Sequence, residues 1–318
     1  VDLLIKASEA IGGFADGHQY AASGIIPINK ELAKLIGYYL SEGYCPGGRV
    51  SFSVGIDEKD LAKEIVELLH KVFGVSAKVR VQQWKRKESS IVIDARNTTL
   101  ELIFSKVFEM GENSYTKRVP WFAFLLNKEF IKEIICTYLL GDGHIRRSES
   151  SKKLRKSLIV MFSTASSQLF YGILILMLRL GIQPTSICVS KNQLIAKIQG
   201  GTNYMKLWKY MEKLFVRRGF KKFVPHPGSL VPIVDRYPVT IFCEDLPPKT
   251  WGERISIYRL LKNYNSLPNR VKSFISSDII LVKVRDIRQI SYDGYVYDFE
   301  VNKGPYHNFM LPSGVIIH

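Results

Sequence analysis

Two acidic residues, Glu42 and Asp142, each stand directly before a glycine at the end of a helix-like apolar pattern. The carbonyl groups at the C-terminal end of a helix carry partial negative charge, so an acid in the last turn is unfavourable unless a cation binds there. Two such acids brought together would repel each other strongly, which divalent cations would relieve. Carboxylate oxygens favour Mg²⁺, or a similar hard ion such as Mn²⁺, over zinc.

A lysine accompanies each acid in the pattern K-x-V-P, as Lys117 in "KRVP" and Lys222 in "KFVP". Metal ions held by the acids would activate water for an in-line phosphoryl displacement, and the lysines would stabilise the charge that develops at phosphorus. Taken singly, each lysine also fits a solvated surface residue, and an acid beside a helix-ending glycine is common. Repetition of both features in the same order favours nuclease chemistry.

The acids end two similar segments, "NKELAKLIGYYLSEG" at 29–43 and "NKEFIKEIICTYLLGDG" at 127–143. Each opens with Asn, a good helix N-cap, and its apolar residues follow helical spacing. Small residues also recur at every fourth position: Ala33, Gly37 and Ser41 in the first segment, Thr137 and Gly141 in the second. Such a stripe lets two helices pack closely, which would bring Glu42 and Asp142 together. Thr137, where the first segment has Gly37, is expected to loosen that packing slightly.

The elements after each of these helices also repeat, in the order strand, helix, strand, strand, helix. In the first half we predict strands at 49–55, 77–84 and 90–96, and helices that end at Gly74 and near Met110. In the second half we predict strands at 157–163, 185–190 and 193–199, and helices that end at Gly181 and near residue 214. Short strands between polar turns favour antiparallel pairing.

The chain of 318 residues carries 45 Lys and Arg against 29 Asp and Glu, a formal net charge of +16. Such an excess indicates a polyanionic partner, nucleic acid first, although a basic surface with no polyanion is the alternative. The predicted strand in "KVRVQQWKRK" places Val79 and Val81 on a buried face. The opposite face would carry Arg80, Gln82, Trp84 and Arg86, suited to base edges, while Lys85 and Lys87 meet phosphates. The second half carries three basic clusters that would follow the DNA backbone: Arg146 with Arg147, then Lys152, Lys153, Arg155 and Lys156, then Arg217, Arg218 and Lys221.

Cysteine usage and hydropathy exclude several other classes. The four cysteines (Cys45, Cys136, Cys188 and Cys243) have neither disulfide-framework nor zinc-finger spacing, and no apolar run reaches the length of a membrane helix. We therefore expect an intracellular protein, cytoplasmic or nucleoid-associated, with reduced thiols and no membrane partner.

The motifs "LIGYYLSEG" (35–43) and "ICTYLLGDG" (135–143) resemble those of LAGLIDADG homing endonucleases, specifically the two-motif monomeric type found inside inteins. The resemblance implies an α+β fold of two pseudo-symmetric αββαββα-like repeats, whose antiparallel sheets bind DNA. It also implies that Glu42 and Asp142 ligate the catalytic metals with help from the carbonyls of Ser41 and Gly141. Lys117 matches the family's lysine ahead of the second motif, and Lys222 matches it through the internal repeat.

The end of the chain, "YVYDFEVNKGPYHNFMLPSGVIIH" (295–318), resembles the last two blocks of an intein splicing (Hint) domain. The resemblance places Asp298, His307 and His318 where such domains assist the final splicing steps. The sequence begins at Val1, has no T-x-x-H and stops at His318, so we expect it not to splice. The predicted divisions are an N-terminal segment (1–28), repeat 1 (29–126), repeat 2 (127–225), an undecided module or linker (226–277) and a partial splicing domain (278–318).

The leading hypothesis is a monomeric, site-specific homing endonuclease of intein origin that makes double-strand breaks at a long, asymmetric DNA site. One alternative is a non-cutting DNA- or RNA-binding protein, such as a maturase or regulator, on the same scaffold. Another is a fragment of a protein-splicing intein. Retention of both acids and both lysines favours cutting, because a pure binder has no need to keep repelling charges together.

Overall fold

The computed structural model describes most of the two repeats and several short segments after them. The described residues are 5–6, 25–84, 87–149, 156–199, 201–217, 219, 236–238, 254–256, 264–276, 288–289, 291–295, 309–310 and 316–317.

Repeat 1 comes after a short antiparallel pair, β1 (Ile5–Lys6) with β2 (Ile25–Ile26). Its elements are α1 (Lys30–Glu42), β3 (Gly43–Tyr44), β4 (Val50–Gly55), α2 (Lys59–Phe73), β5 (Lys78–Trp84), β6 (Lys87–Ala95) and α3 (Thr98–Leu102). A π-helical turn (Ile103–Val107) extends α3, and a 3₁₀ turn (Trp121–Leu125) precedes the second repeat.

Repeat 2 has the same order of elements. They are α4 (Lys128–Gly141), β7 (His144–Glu149), β8 (Lys156–Thr164), α5 (Ser167–Arg179), β9 (Ser186–Ser190), β10 (Gln193–Gln199) and α6 (Gly201–Arg217). Beyond it the described elements are β11 (Arg236–Pro238), β12 (Arg254–Ser256), a 3₁₀ turn (Tyr264–Ser266), α7 (Asn269–Ser276), β13 (Phe309–Met310) and β14 (Ile316–Ile317).

The two repeats form matching antiparallel sheets, with strand orders β3-β4-β6-β5 and β7-β8-β10-β9. This is the predicted α+β fold of two αββαββα-like repeats. The residue pattern did not predict β3 and β7, the strands that begin just after each acid. Two residues of β3 are too few to show an alternating pattern.

Local sequence explains where the two central helices begin. The side chain of Asn29 accepts a hydrogen bond from the Leu32 amide, and that of Asn127 accepts from Glu129 and Phe130, as predicted for N-caps. The helices pack against each other at the centre of one hydrophobic core, which includes the fully buried residues Leu35, Ile36, Ile134 and Ile135. The C-terminal ends of α1 and α4 therefore lie side by side. Among the described residues, no helix is long and apolar enough to cross a membrane.

Candidate active site

Small residues bring the two central helices into direct contact along the predicted stripe. A Cβ atom added at Gly37 would collide with Oγ1 of Thr137 and with the carbonyl of Ile134. A Cβ at Gly141 would collide with the Ser41 side chain and would lie 2.5 Å from Oε1 of Glu42. The carboxylate of Glu42 thus rests against the last turn of α4, immediately before Asp142.

Thr137 does not loosen this interface, contrary to expectation. Its Oγ1 lies 3.0 Å from the Lys34 carbonyl of α1 and 2.9 Å from the Glu133 carbonyl of its own helix. The hydroxyl therefore donates a hydrogen bond either across the interface or within α4. The place that Gly37 occupies in the first motif thus holds, in the second, a hydroxyl within hydrogen-bond distance of the neighbouring helix.

Glycine is required after each acid because the chain leaves the helix close to its own last turn. Gly43 has φ −83° and ψ 155°, an extended conformation open to any residue, so positive φ is not the reason. A Cβ at Gly43 would instead collide with the Tyr39 ring, and one at Gly143 with the Leu139 carbonyl. This close approach lets β3 and β7 start directly beneath the two carboxylates.

Lys117 is buried beside the helix ends rather than solvated, with only 6% of its surface exposed. Its Nζ donates a hydrogen bond of 2.7 Å to the Ser41 carbonyl and lies 6.0 Å from the centroid of the Tyr39 ring. Its backbone carbonyl accepts a 2.5 Å hydrogen bond from Ser166, the N-cap of α5. Both repeats therefore hold this lysine in place.

The pKa values of Lys117 and Asp142 reflect their shared surroundings. Burial lowers the pKa of Lys117 to about 8, while the charges of Asp142 and Glu42 oppose that shift. Desolvation raises the pKa of Asp142 to about 6, although the residue keeps exposed surface, and the Lys117 charge pulls it down. The ammonium group therefore interacts electrostatically with both acids.

Two tyrosines below the acids were not singled out by sequence, because both occupy ordinary apolar positions of the helical pattern. The Tyr39 hydroxyl donates to the Gly111 carbonyl at 2.6 Å and lies 3.1 Å from Sγ of Cys45. Tyr138 is fully buried, and its hydroxyl has no hydrogen-bond partner among the described residues. Burial, and then the charges of Asp142 and Glu42, raise the pKa of Tyr138.

The sheet of repeat 1 alternates as predicted, but its apolar edge is exposed. Val79 pairs with Ile93 and Val81 with Ile91, which places both valines on the core side of the sheet. They are nevertheless 54% and 60% exposed, because β5 is the edge strand. The predicted burial of Val79 and Val81 is therefore wrong.

The opposite, polar face carries Arg80 and Gln82, together with a nearly buried acid, Asp94. Asp94 Oδ1 accepts a 2.6 Å hydrogen bond from Ser51, and Oδ2 accepts one of 2.9 Å from Nε of Arg80. Nε of Arg49 lies 3.8 Å from Oδ1. Burial would raise the pKa of Asp94, but the hydrogen bonds from Ser51 and Arg80 and the two arginine charges outweigh it, so the pKa lies below its usual value.

In the sheet of repeat 2, Arg146 pairs with Ile159 and Arg147 with Leu158. Several other predicted residues lie outside the described part of the chain: Lys85, Arg86, Lys152, Lys153, Arg155, Arg218, Lys221, Lys222, Asp298, His307 and His318. Only the backbone is described for Trp84, Lys87, Arg147, Lys156 and Arg217.

A comparison with known proteins finds one family model that matches both repeats. Residues 29–107 and 129–203 match the family model of the LAGLIDADG-like domain. The crystal structure of I-DmoI in complex with DNA and Mn has a TM-score of 0.40 and 12% sequence identity, covering 57% of this chain and 96% of that one.

Two curated relatives are much longer than this chain. An uncharacterized protein of Methanocaldococcus jannaschii is 31% identical over 166 residues, which are 49% of this chain and 17% of that protein. A DNA polymerase of Thermococcus kodakarensis is 24% identical over 306 residues, which are 93% of this chain and 16% of the polymerase. This chain thus spans less than a fifth of the length of either relative.

Proposed function

We propose that this chain, whose two repeats match the model of the LAGLIDADG-like domain, is a site-specific endonuclease that cuts both strands of DNA by metal-dependent hydrolysis. One observation carries the proposal: a buried lysine, Lys117, is hydrogen-bonded to the Ser41 carbonyl and interacts electrostatically with Glu42 and Asp142 at the adjoining ends of two packed helices. Burying an ammonium group at two helix ends that carry acids costs stability, so this arrangement favours chemistry over packing as its explanation.

The donor set at the helix ends fits a hard divalent ion such as Mg²⁺ or Mn²⁺. Glu42 and Asp142 would supply one carboxylate each, and the carbonyls of Ser41 and Gly141 would supply further oxygens. The described residues include no cluster of three or more His, Cys, Asp or Glu side chains. Mg²⁺ needs no such cluster, because proteins usually bind it through one or two carboxylates while waters and substrate phosphates complete the shell. When bound, the ion would activate water and neutralise charge on the phosphoryl oxygens.

Lys117 contributes a fixed positive charge to the same reaction. Its ammonium group is anchored on the Ser41 carbonyl, adjacent to Glu42, so it needs no reorganisation when charge develops on a nearby phosphate. With a pKa of about 8 the lysine is mostly protonated at neutral pH, yet it can exchange protons with neighbouring water. By the internal repeat, Lys222 would serve in the same way beside Asp142.

The two sheets would bind the DNA on either side of the cut. A net charge of +16 favours a polyanion, and the polar sheet faces present Arg80 and Gln82 in repeat 1 and Arg146 in repeat 2. Because the two faces carry different residues, a single chain would prefer an asymmetric target over a palindrome. One protein copy would therefore recognise a long site.

We further propose that the endonuclease derives from an intein. The match to a polymerase spans almost all of this chain but a small part of that protein, which fits a segment carried within a host protein. The resemblance of residues 295–318 to splicing blocks is the second argument. A chain of this origin would act on the DNA of the cell that makes it.

The test is cleavage of a duplex library by the wild-type chain, followed by sequencing of the ends. We expect double-strand breaks at one sequence with Mg²⁺ or Mn²⁺, none in EDTA, and binding without cutting in Ca²⁺. The exposed acid Glu67 provides a matched control, because Glu67→Gln removes a carboxylate from α2 without touching the helix ends. Specific binding with no cutting under any metal condition would instead support a maturase or regulator.

A further inference from the structure

Asp94 is an acid on the very sheet face that would meet DNA, yet it is out of reach of a ligand. Its side chain is only 7% exposed. On neighbouring strands it pairs with Ser51 of β4 and Lys78 of β5. A carboxylate in this position would repel phosphates if it were free, but its two oxygens accept hydrogen bonds from Ser51 and Arg80, and Nε of Arg49 lies 3.8 Å away.

The arginines that hold Asp94 remain partly open to solvent. Arg80 is 49% exposed and Arg49 is 33% exposed at the side chain. Arg80 uses Nε on Asp94 and places Nη1 3.5 Å from Oε1 of Gln82, so the inner edge of the guanidinium is fixed. Its Nη2 has no partner among the described residues. A guanidinium anchored on one edge loses less entropy when the other edge binds.

We propose that Asp94 is a positioning residue for DNA recognition, which fixes Arg80 for contact with base edges. This inference rests on the proposed function, because it names how repeat 1 reads its half of the target. Asp94 acts through Arg80 and does not touch DNA itself. The hydroxyl of Ser51 holds the acid from the other side.

The sheet of repeat 2 offers no equivalent arrangement in the part of it that is described. On the polar face of β10, Lys197 lies between Met161 of β8 and Ser186 of β9. No ion pair is found within the described residues of β7 to β10. Loss of Asp94 should therefore affect recognition in one half of the target only.

The experiment compares binding profiles of the wild type, Asp94→Asn, Arg80→Ala and the double variant on a randomised duplex library, in Ca²⁺ to prevent cutting. Arg80→Ala should relax the base preference at some positions of the target. Those positions define the half of the target that repeat 1 contacts. We expect Asp94→Asn to relax the same positions and to weaken target binding roughly tenfold, the size of one lost arginine–base contact. Random duplex should bind as tightly or more tightly, since one negative charge is removed.

The double variant decides whether Asp94 works through Arg80. If it does, the double variant should bind its target about as well as Arg80→Ala alone. If the double variant lost affinity by the product of the two single losses, the inference would be wrong. It would also be wrong if Asp94→Asn weakened binding to random DNA as much as to the target, or relaxed base preference in both halves of the target. Ser51→Ala provides a milder variant, which keeps the charge and should relax the same positions by a smaller factor, while Glu67→Gln, which also removes one negative charge, should leave every base preference unchanged. A wild-type protein that enriched no sequence would contradict the proposed function as well.

Discussion

The two repeats share the same order of helices and strands but differ in how many of their polar side chains are held by hydrogen bonds or ion pairs. In repeat 1, Lys117 anchors on the Ser41 carbonyl, and Asp94 holds Arg80 on the sheet. In repeat 2, the Tyr138 hydroxyl has no hydrogen-bond partner among the described residues, and Lys197 occupies the polar sheet face. The helix interface keeps its small-residue contacts from both repeats, while the sheets have diverged.

The helix interface, unlike the sheets, requires small residues in both repeats. Gly37 and Gly141 both sit where a Cβ would collide with the other helix, so the spacing of the acids depends on both. The sheets carry no such mutual constraint, because each is packed on its own repeat. Under the proposed function, residues on the sheets could therefore change the recognised sequence without moving the acids.

The largest expected effect concerns Lys117, the buried lysine that both repeats position. Lys117→Met should slow cleavage by roughly 10²–10³-fold, the usual cost of removing a preorganised electrostatic group. It should not lower stability, because Met fills similar space without a buried charge. Single-turnover cleavage and urea unfolding would measure the two effects. Lys222→Met tests whether the two repeats contribute equally, since pseudo-symmetry predicts a similar loss in cleavage rate.

Substitution of the interface glycines should come next in size. Gly37→Val and Gly141→Val each place side-chain atoms into the other helix, and we expect each to cost about 3 kcal/mol of unfolding free energy. Chemical denaturation would measure the loss. Gly74→Ala is a useful contrast, because a Cβ there meets no atom within 4 Å and its strain comes only from its positive φ of 68°. A smaller loss at Gly37 than at Gly74 would contradict close helix packing.

The depressed pKa of Lys117 predicts a pH dependence of stability in metal-free protein. The folded pKa is about 8 and the ordinary value is 10.5, so between these values the unfolded chain binds more protons. The penalty from Lys117 is therefore complete below pH 8 and disappears as pH rises to 10.5, an upper limit of about 3 kcal/mol. Urea unfolding in EDTA should show Lys117→Met gaining over wild type at pH 7, with the gain shrinking by pH 10. A gain independent of pH would argue against a buried charge.

Thr137 should show the smallest effect of the set. Thr137→Val removes a hydroxyl that lies 3.0 Å from the Lys34 carbonyl, and we expect a loss of about 1–2 kcal/mol by thermal or chemical unfolding. Thr137→Gly would restore the residue found at the matching place of repeat 1. If glycine proved more stabilising than threonine, the hydroxyl would be an obstacle rather than a link.

Much of the frame could be predicted from sequence because the signals were local. Asn29 and Asn127 mark the starts of the two central helices, and the acid–glycine pairs mark their ends. Each of these signals depends only on residues within one helical turn. The partnership of Asp94 with Arg80 could not be predicted, since it depends on which strands pair and in what register. Tyr138 reads as one more apolar position of a helix. The exposure of Val79 and Val81 results from the place of β5 at the sheet edge, which alternation alone does not specify.

The central claim is that one acid from each repeat completes a single metal-dependent cutting site. The direct test is cleavage of both end-labelled strands of the selected target by Glu42→Gln and by Asp142→Asn, with Glu67→Gln as control and DNA binding measured in Ca²⁺. We predict that either substitution lowers double-strand cleavage by more than about 100-fold while target binding persists. Retained double-strand cleavage in both variants would contradict the claim.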